Sequence, residues 1–97
     1  METANAVNGE GQTALWRASG AGDVAKVNAE LARGAGVNKA YRSGATPLYI
    51  AAQKGHVDAL MALLVAGADR TRKFKGATAL DIARSKGHAA IVRLLSA

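Results

Sequence analysis

The sequence predicts a mainly α-helical fold in which short repeated units stack side by side. One observation is an internal repeat, because Gly11, Gly44 and Gly76 open similar segments at a nearly constant spacing of about 33 residues. Another is composition: 49% of the residues are apolar but only 4% are aromatic, and this wealth of small side chains favours an extended stack over a single globular core. The chain also contains no cysteine, so neither a disulfide nor a thiolate metal site holds the fold together.

Each unit is predicted to contain two helices and a turn. In the second unit, Thr46 caps the first helix and Pro47 takes its first helical position. Gly55 supplies a left-handed turn that ends this helix, and a second helix follows over about residues 56–65. The polar stretch after Gly67 predicts a turn or hairpin before the next unit begins.

The most complete unit carries a family signature. The segment GATPLYIAAQKGH, residues 44–56, together with the helix exit LLVAGAD, residues 63–69, resembles the ankyrin repeat. The resemblance covers residues 11–97 and implies an α-solenoid of helix-turn-helix units with short β-hairpin loops. It also implies a concave face, formed by hairpin tips and inner helices, that binds other proteins. The domains expected from it are an N-terminal tail at 1–10 and repeats at 11–43, 44–75 and 76–97.

Three departures from the family pattern stand out. Glu30 takes the place held by Leu63 and Leu95 in the other units, and we expect it to face water at the end of the stack. The second hairpin is one residue shorter than the first. The histidine through which the family usually bonds neighbouring repeats is replaced by Trp16, Tyr49 and Asp81.

Three units are about the minimum for a stable stack. We therefore expect a modestly stable monomer. Two alternatives stay open: self-association through the C-terminal repeat, which has no obvious polar cap, and membership of a longer array.

The first candidate site is a basic strip. The chain carries 13 Lys and Arg against 7 Asp and Glu, for a net charge of +6, and this excess favours an acidic partner. The second hairpin contributes RTRKFK, residues 70–75, and the strip would also include cations and aromatic residues of the first hairpin and the ends of the inner helices. Its candidate residues are Lys39, Tyr41, Arg42, Gln53, Lys54, Arg72, Lys73, Phe74, Lys75 and Lys86. The competing interpretation is an ordinary solvated loop, although an exposed aromatic such as Phe74 favours binding.

The second candidate site is the pair Trp16 and Tyr49, which should be neighbours on adjacent inner helices. Trp and Tyr are common anchors of protein interfaces. The alternative is packing between repeats, which we favour for Tyr49 and leave open for Trp16.

Metal binding and catalysis are not expected. His56 and His88 occupy the same place in successive units, which favours a structural role over zinc binding. The sequence contains neither a nucleophile elbow nor a phosphate-binding loop, and its carboxylates are scattered. We therefore predict a protein that is not an enzyme and that has no cofactor.

A cytoplasmic location is expected. The start of the chain does not resemble a signal peptide. The longest apolar run, residues 59–68, is shorter than the roughly 20 residues that a membrane helix needs.

The leading functional hypothesis is an intracellular protein-interaction module with an acidic partner. The alternative from another class is nucleic-acid binding through the same basic strip, which we rank lower because aromatic residues suited to base stacking are few. A third hypothesis is an orphan or engineered scaffold with no partner, against which the irregularities of the repeats argue.

Overall fold

The computed structural model describes residues 5–9, 12–42 and 44–97. The described residues form six α-helices, arranged as three antiparallel pairs that follow the predicted repeats. The inner helix of each pair packs on the inner helix of the next pair, and the outer helices stack in the same way. The inner helices are α1 (Ala14–Ala21), α3 (Pro47–Lys54) and α5 (Ala79–Lys86), and the outer helices are α2 (Val24–Ala32), α4 (Val57–Val65) and α6 (Ala89–Ser96). The predicted helical stack is confirmed, with extents of 40 × 25 × 19 Å.

The inner helices share the same capping residues. Each begins at a threonine whose hydroxyl accepts a hydrogen bond from the backbone N–H three residues on. Each ends at a glycine with φ between 72° and 80°, a left-handed conformation that glycine adopts without a steric penalty. The caps are Thr13, Thr46 and Thr78 at the starts, and Gly22, Gly55 and Gly87 at the ends.

The core runs through all three units between the inner and outer helices. Its large, fully buried side chains include Leu15 and Leu48 at one equivalent position, Val27 and Leu60 at another, and also Leu63 and Ile91. Because each unit buries its apolar side chains against its neighbours, removal of any one unit would expose part of this core.

The two histidines link each unit to the one before it. His56 Nε2 lies 3.1 Å from the carbonyl oxygen of Gly20, and His88 Nε2 lies 3.0 Å from that of Gln53. Because a carbonyl oxygen only accepts hydrogen bonds, each ring donates from Nε2. The His56 ring also lies against Gly22, where an added Cβ would approach Nδ1 to 2.5 Å. The structural role predicted for both histidines is confirmed.

The hairpins between units are short fingers whose described residues form no extended strand. The first finger comprises residues 36–42 and 44–45, and the second comprises residues 69–77. In the second finger, Phe74 and Ala77 form a single antiparallel bridge, with N–O distances of 2.9 and 3.0 Å. In the first finger, the equivalent bond from Tyr41 N to the oxygen of Ala45, 2.7 Å long, spans one more residue. The predicted one-residue difference between the hairpins therefore falls in the turn.

Residues 5–9 continue the finger pattern towards the N-terminus. The side-chain oxygen of Asn5 accepts a 2.7 Å hydrogen bond from the N–H of Gly36. In the next unit, the side-chain oxygen of Asn38 accepts a 2.8 Å bond from the N–H of Asp69, and both partners lie one repeat further along the chain. The boundary of the predicted N-terminal tail stays a prediction, but its described residues contact the first finger as one finger contacts the next.

Glu30 is buried, and the expectation that it faces water is wrong. Only 6% of the residue is exposed, close to the 0% and 7% of Leu63 and Leu95 at the equivalent positions. Its carboxylate oxygens lie 2.9 and 3.1 Å from Nη1 of Arg33, one turn further along the chain. The position is enclosed although the unit is terminal, and the ion pair with Arg33 satisfies the carboxylate there.

Candidate protein-binding face

The fingers and the exposed residues of the inner helices form one continuous surface, which we call the finger face. The N-terminal turns of α1 and α3 contact the finger that follows each of them, through the aromatic pairs described below. Each inner helix is about 12 Å long, so its C-terminal end lies a short distance from the fingers. All the candidate site residues of the sequence lie on these elements.

Two aromatic pairs attach the fingers to the inner helices. The rings of Trp16 and Tyr41 stack with centroids 4.9 Å apart, and those of Tyr49 and Phe74 meet edge to face at 5.1 Å. Both pairs join equivalent positions of their units, so an aromatic contact recurs in two units with a different ring geometry in each. Together they use all four aromatic residues of the chain. Such pairs contribute about 0.5–1.5 kcal/mol each beyond area burial, which favours fixed finger positions.

Packing explains the burial of the aromatic candidates. Tyr49 is only 6% exposed, which supports the packing interpretation, and burial raises the pKa of its hydroxyl above 10.0. Phe74 is half-buried against Tyr49, so the expectation of a freely exposed aromatic at this position is wrong. Trp16 is also half-buried, and its indole N–H donates a 3.1 Å hydrogen bond to the carbonyl of Ala45 in the next unit. This bond connects neighbouring repeats from the position where the family usually has histidine.

The cations of the fingers recur at equivalent positions. Arg72 lies one repeat after Lys39, and Lys75 lies one repeat after Arg42. All four are exposed, as is Lys73 between them. Neighbouring helices in a stack lie about 8–10 Å apart, so the repeat spacing arranges these cations in rows across the units.

A further row of cations lies at the C-terminal ends of the inner helices. Lys54 and Lys86 are the last residues of α3 and α5, and both are exposed. Gln53, beside Lys54, is half-buried, and its backbone oxygen is the acceptor for His88. At these helix ends the lysine side chains are therefore more accessible to a partner than the side chain of Gln53 is.

Two carboxylates near the fingers are occupied by local hydrogen bonds. Asp69 accepts bonds of 2.6 and 2.9 Å from the hydroxyl and N–H of Thr71, which lower its pKa, and it lies 3.6 Å from Nε of Arg72. Asp81 accepts a 3.0 Å bond from the N–H of Thr78, and this hydrogen bonding is the main cause of its lowered pKa. Both are therefore ionised at neutral pH and offset only part of the cationic charge.

Sequence reasoning missed Arg84. This exposed residue of α5 occupies the place held by Ala52 and Ser19, both fully buried in the other units. It lies near enough to Asp81 to lower the pKa of that carboxyl. Alignment of the three units would have revealed it, because a cation replaces a small buried residue there. The same alignment shows Ser96 in place of Leu64, so the last unit is more polar than expected.

The described residues offer no site for metal binding. They contain no group of three or more His, Cys, Asp and Glu side chains that could hold an ion. An open groove lies between α1 and α2, with a floor of alanines and with Arg17, Asp23 and Lys26 at its edges. Asp23 is the N-cap of α2, where its side chain accepts a bond from the N–H of Lys26. The groove therefore presents no pair of carboxylates for acid–base chemistry.

The helices of the described residues are too short and too polar to span a membrane. The longest of them has nine residues, and a spanning helix needs about twenty.

Comparison with known proteins agrees with the repeat architecture. The model of a family described as "Ankyrin repeats (3 copies)" matches residues 1–69 and again residues 23–97. A search among curated proteins gives no match to this chain. Ankyrin repeats generally act as protein–protein interaction modules and are typically non-enzymatic. The two family matches together span the whole sequence, and the chain belongs to the ankyrin-repeat family.

Proposed function

We propose that this protein binds an acidic segment of another protein across its finger face. The observation that carries the proposal is the set of exposed cations at equivalent positions of successive units. They form the equivalent pairs Lys39 and Arg72, Arg42 and Lys75, and Lys54 and Lys86, with Lys73 as an additional exposed cation of the second finger. Complementary charge of this kind raises association rates and selects acidic partners over basic ones.

The charge of this surface is poorly neutralised from within the protein. Among the described residues the ion pairs are Arg33–Glu30, which lies off the finger face, and Arg72–Asp69. The second pair is long, at 3.6 Å, and both side chains are well exposed to solvent. Exposed pairs of this kind contribute at most about 1 kcal/mol, so a partner carboxylate could displace Asp69 at low cost.

A fixed scaffold supports binding as well. The aromatic pairs hold both fingers against the inner helices, and Trp16 connects the first unit to the second. A surface that is already ordered loses less entropy when a partner binds. The expected intracellular location of this interaction stays a prediction.

The aromatic pairs disfavour the nucleic-acid alternative. Proteins that bind single strands stack successive bases on exposed aromatic rings. Here the ring faces of Trp16 and Tyr41 cover each other, and Tyr49 is buried. The finger face therefore combines cationic charge with few stacking surfaces, which suits a flexible acidic peptide better than bases.

Two variants of equal charge test the proposal. The finger variant carries Arg72→Ala and Lys73→Ala, and the control carries Lys26→Ala and Arg93→Ala, exposed cations of the outer helices α2 and α6. A fluorescein-labelled short peptide of alternating Glu and Ser is titrated with each protein at low and at physiological salt, and its anisotropy is measured. We expect the wild type and the control to bind similarly, and the finger variant to bind more weakly and with a flatter salt dependence.

Each other outcome has a definite meaning. Equal losses of affinity in both variants would show that net charge alone attracts the peptide. Equal binding of a Gln-Ser peptide would refute an acidic partner. A mixed-sequence DNA or RNA that binds the wild type more tightly than the peptide does would favour the nucleic-acid alternative, and a wild type that binds none of these ligands would favour a scaffold without a partner.

A further inference from the structure

The backbone of Lys75 is in an unusual conformation. Its φ of 52° makes it the one non-glycine residue with positive φ in the described part of the chain. Gly76 follows with φ of 80°, and the mutual hydrogen bonds of Phe74 and Ala77 close a two-residue turn around them. A turn with positive φ at both central residues is a type I′ turn, which favours Asn-Gly and disfavours lysine at the first position. The deletion of one residue from this finger thus leaves a lysine where the fold prefers asparagine.

The side chain of Lys75 is positioned as well. Its ammonium nitrogen lies 5.3 Å from the centroid of the Phe74 ring, a distance at which the ring face attracts a cation. Phe74 in turn meets the buried ring of Tyr49 edge to face. The charge at this fingertip is therefore supported by a chain of contacts that reaches into α3.

The equivalent cation of the first finger is used differently. The guanidinium of Arg42 donates a 2.9 Å hydrogen bond to the carbonyl of Gly9, within the protein itself. Neither ion pair of the described residues involves Lys75. An aromatic ring orients the ammonium without supplying a carboxylate, so Lys75 keeps its capacity to pair with an anion of a partner.

We propose that Lys75 is the residue that determines affinity for the acidic partner, and that the protein retains it at the expense of turn stability. Strained backbone conformations cluster at functional sites, where the function of the side chain compensates for the loss of stability. Here the tight turn and the ring contact orient an ammonium group, so binding a partner carboxylate costs less side-chain entropy. The inference rests on the proposed function and assigns its main contact.

Three substitutions separate the backbone from the charge. Lys75→Gln removes the charge and keeps a residue that disfavours positive φ. Lys75→Asn removes the same charge but provides the Asn-Gly pair that the turn prefers. Lys73→Gln removes a neighbouring exposed cation of the same finger as the matched control. The measurements are Kd for the fluorescein-labelled Glu-Ser peptide and Tm from the helical circular dichroism signal.

We expect both Lys75 variants to bind the peptide about tenfold more weakly than the wild type, whereas Lys73→Gln weakens binding about threefold or less. We also expect Lys75→Asn to melt about 4 °C or more above Lys75→Gln, because both lose the ring contact and only asparagine relieves the backbone. Together these results would show that asparagine at position 75 gives a more stable fold than glutamine and, like glutamine, loses the contact with the peptide.

Two results would overturn the inference while leaving the proposed function intact. One is that the Lys75 variants bind the peptide with wild-type affinity, or lose no more affinity than Lys73→Gln does. The other is a Tm of Lys75→Asn equal to that of Lys75→Gln, which would mean that the turn stores no strain. A wild type that fails to bind the acidic peptide would instead overturn the proposed function and this inference with it.

Discussion

Substitution of Glu30 by leucine is expected to stabilise the protein by about 1–2 kcal/mol. The position is already enclosed, since Glu30 is only 6% exposed and leucines fill the equivalent sites of the other two units. A fully buried leucine contributes about 1.5–3 kcal/mol relative to an exposed one. Removal of the carboxylate also relieves its unfavourable interaction with the C-terminal end of the α2 dipole, worth a few tenths of a kcal/mol.

The loss of the ion pair offsets part of that gain. Arg33 is half exposed, with a side-chain exposure of 51%, so it regains water when its partner is removed. A pair exposed on one side contributes about 1 kcal/mol or less, and replacement of buried pairs by apolar residues is commonly neutral or stabilising. The balance of these effects gives a net gain of about 1–2 kcal/mol, which corresponds to an increase in Tm of about 5–15 °C for a chain of this size.

Thermal and urea unfolding of three proteins would check this prediction. They are the wild type, Glu30→Leu and Glu30→Gln, and the glutamine variant retains the shape of the side chain without its charge. We expect the leucine variant to be the most stable, the wild type next and the glutamine variant the least stable. The neutral amide of glutamine forms no ion pair with Arg33, so nothing comparable offsets the cost of removing it from water. A leucine variant no more stable than the wild type would refute the reasoning, since it would mean that burial of the leucine does not exceed the loss of the ion pair with Arg33.

Three further predictions concern stability. Gly22→Ala should destabilise the protein by about 2–4 kcal/mol in urea unfolding, because its Cβ would approach the His56 ring to 2.5 Å at positive φ. The control is Gly34→Ala, which also has positive φ but nothing within 4 Å of the added Cβ, and it should lose only about 1–2 kcal/mol. Equal losses in the two variants would refute the role of the ring contact. The lowered pKa of Asp81 means that its stabilisation is present above its ordinary pKa of 3.8 and is lost as the pH falls through the folded value, so Asp81→Asn should flatten the acid limb of a stability–pH curve. The raised pKa of Tyr49 stabilises the fold below pH 10.0, and this contribution is lost as the pH rises through the folded value; Tyr49→Phe should therefore reduce the loss of Tm at alkaline pH, and an unchanged loss would contradict this assignment.

Helix boundaries could be predicted from the sequence because their causes are local. A threonine hydroxyl caps the N–H three residues away, and a glycine ends the helix through its own φ, as at Thr46 and Gly55. Neither depends on which other unit lies alongside. The repeat period then transfers the same assignment to all three units, which is why the helical stack was predictable without any structure.

The candidate site was predictable in part. The positions of the cations follow from the period, since Lys39 and Arg72 occupy equivalent places in their fingers. The environment of the aromatic residues does not, because half-buried Phe74 packs against Tyr49, which lies in the preceding inner helix. An aromatic residue in a polar loop is expected to be exposed until the helix beneath it is located.

By itself, the sequence determined the family, the number and order of the helices, the caps of the inner helices, and the sign of the charge on the fingers. All of these depend on residue identity and spacing. Tertiary structure alone decided that Glu30 is buried with Arg33, that the four aromatic residues pair, and that Lys75 adopts positive φ over the ring of Phe74. The physical reason for the burial of Glu30 and for the aromatic pairs is that the atoms enclosing these residues are distant in the chain and approach only after the units have stacked. The turn at Lys75 is local, but lysine disfavours positive φ, so residue identity alone does not predict it.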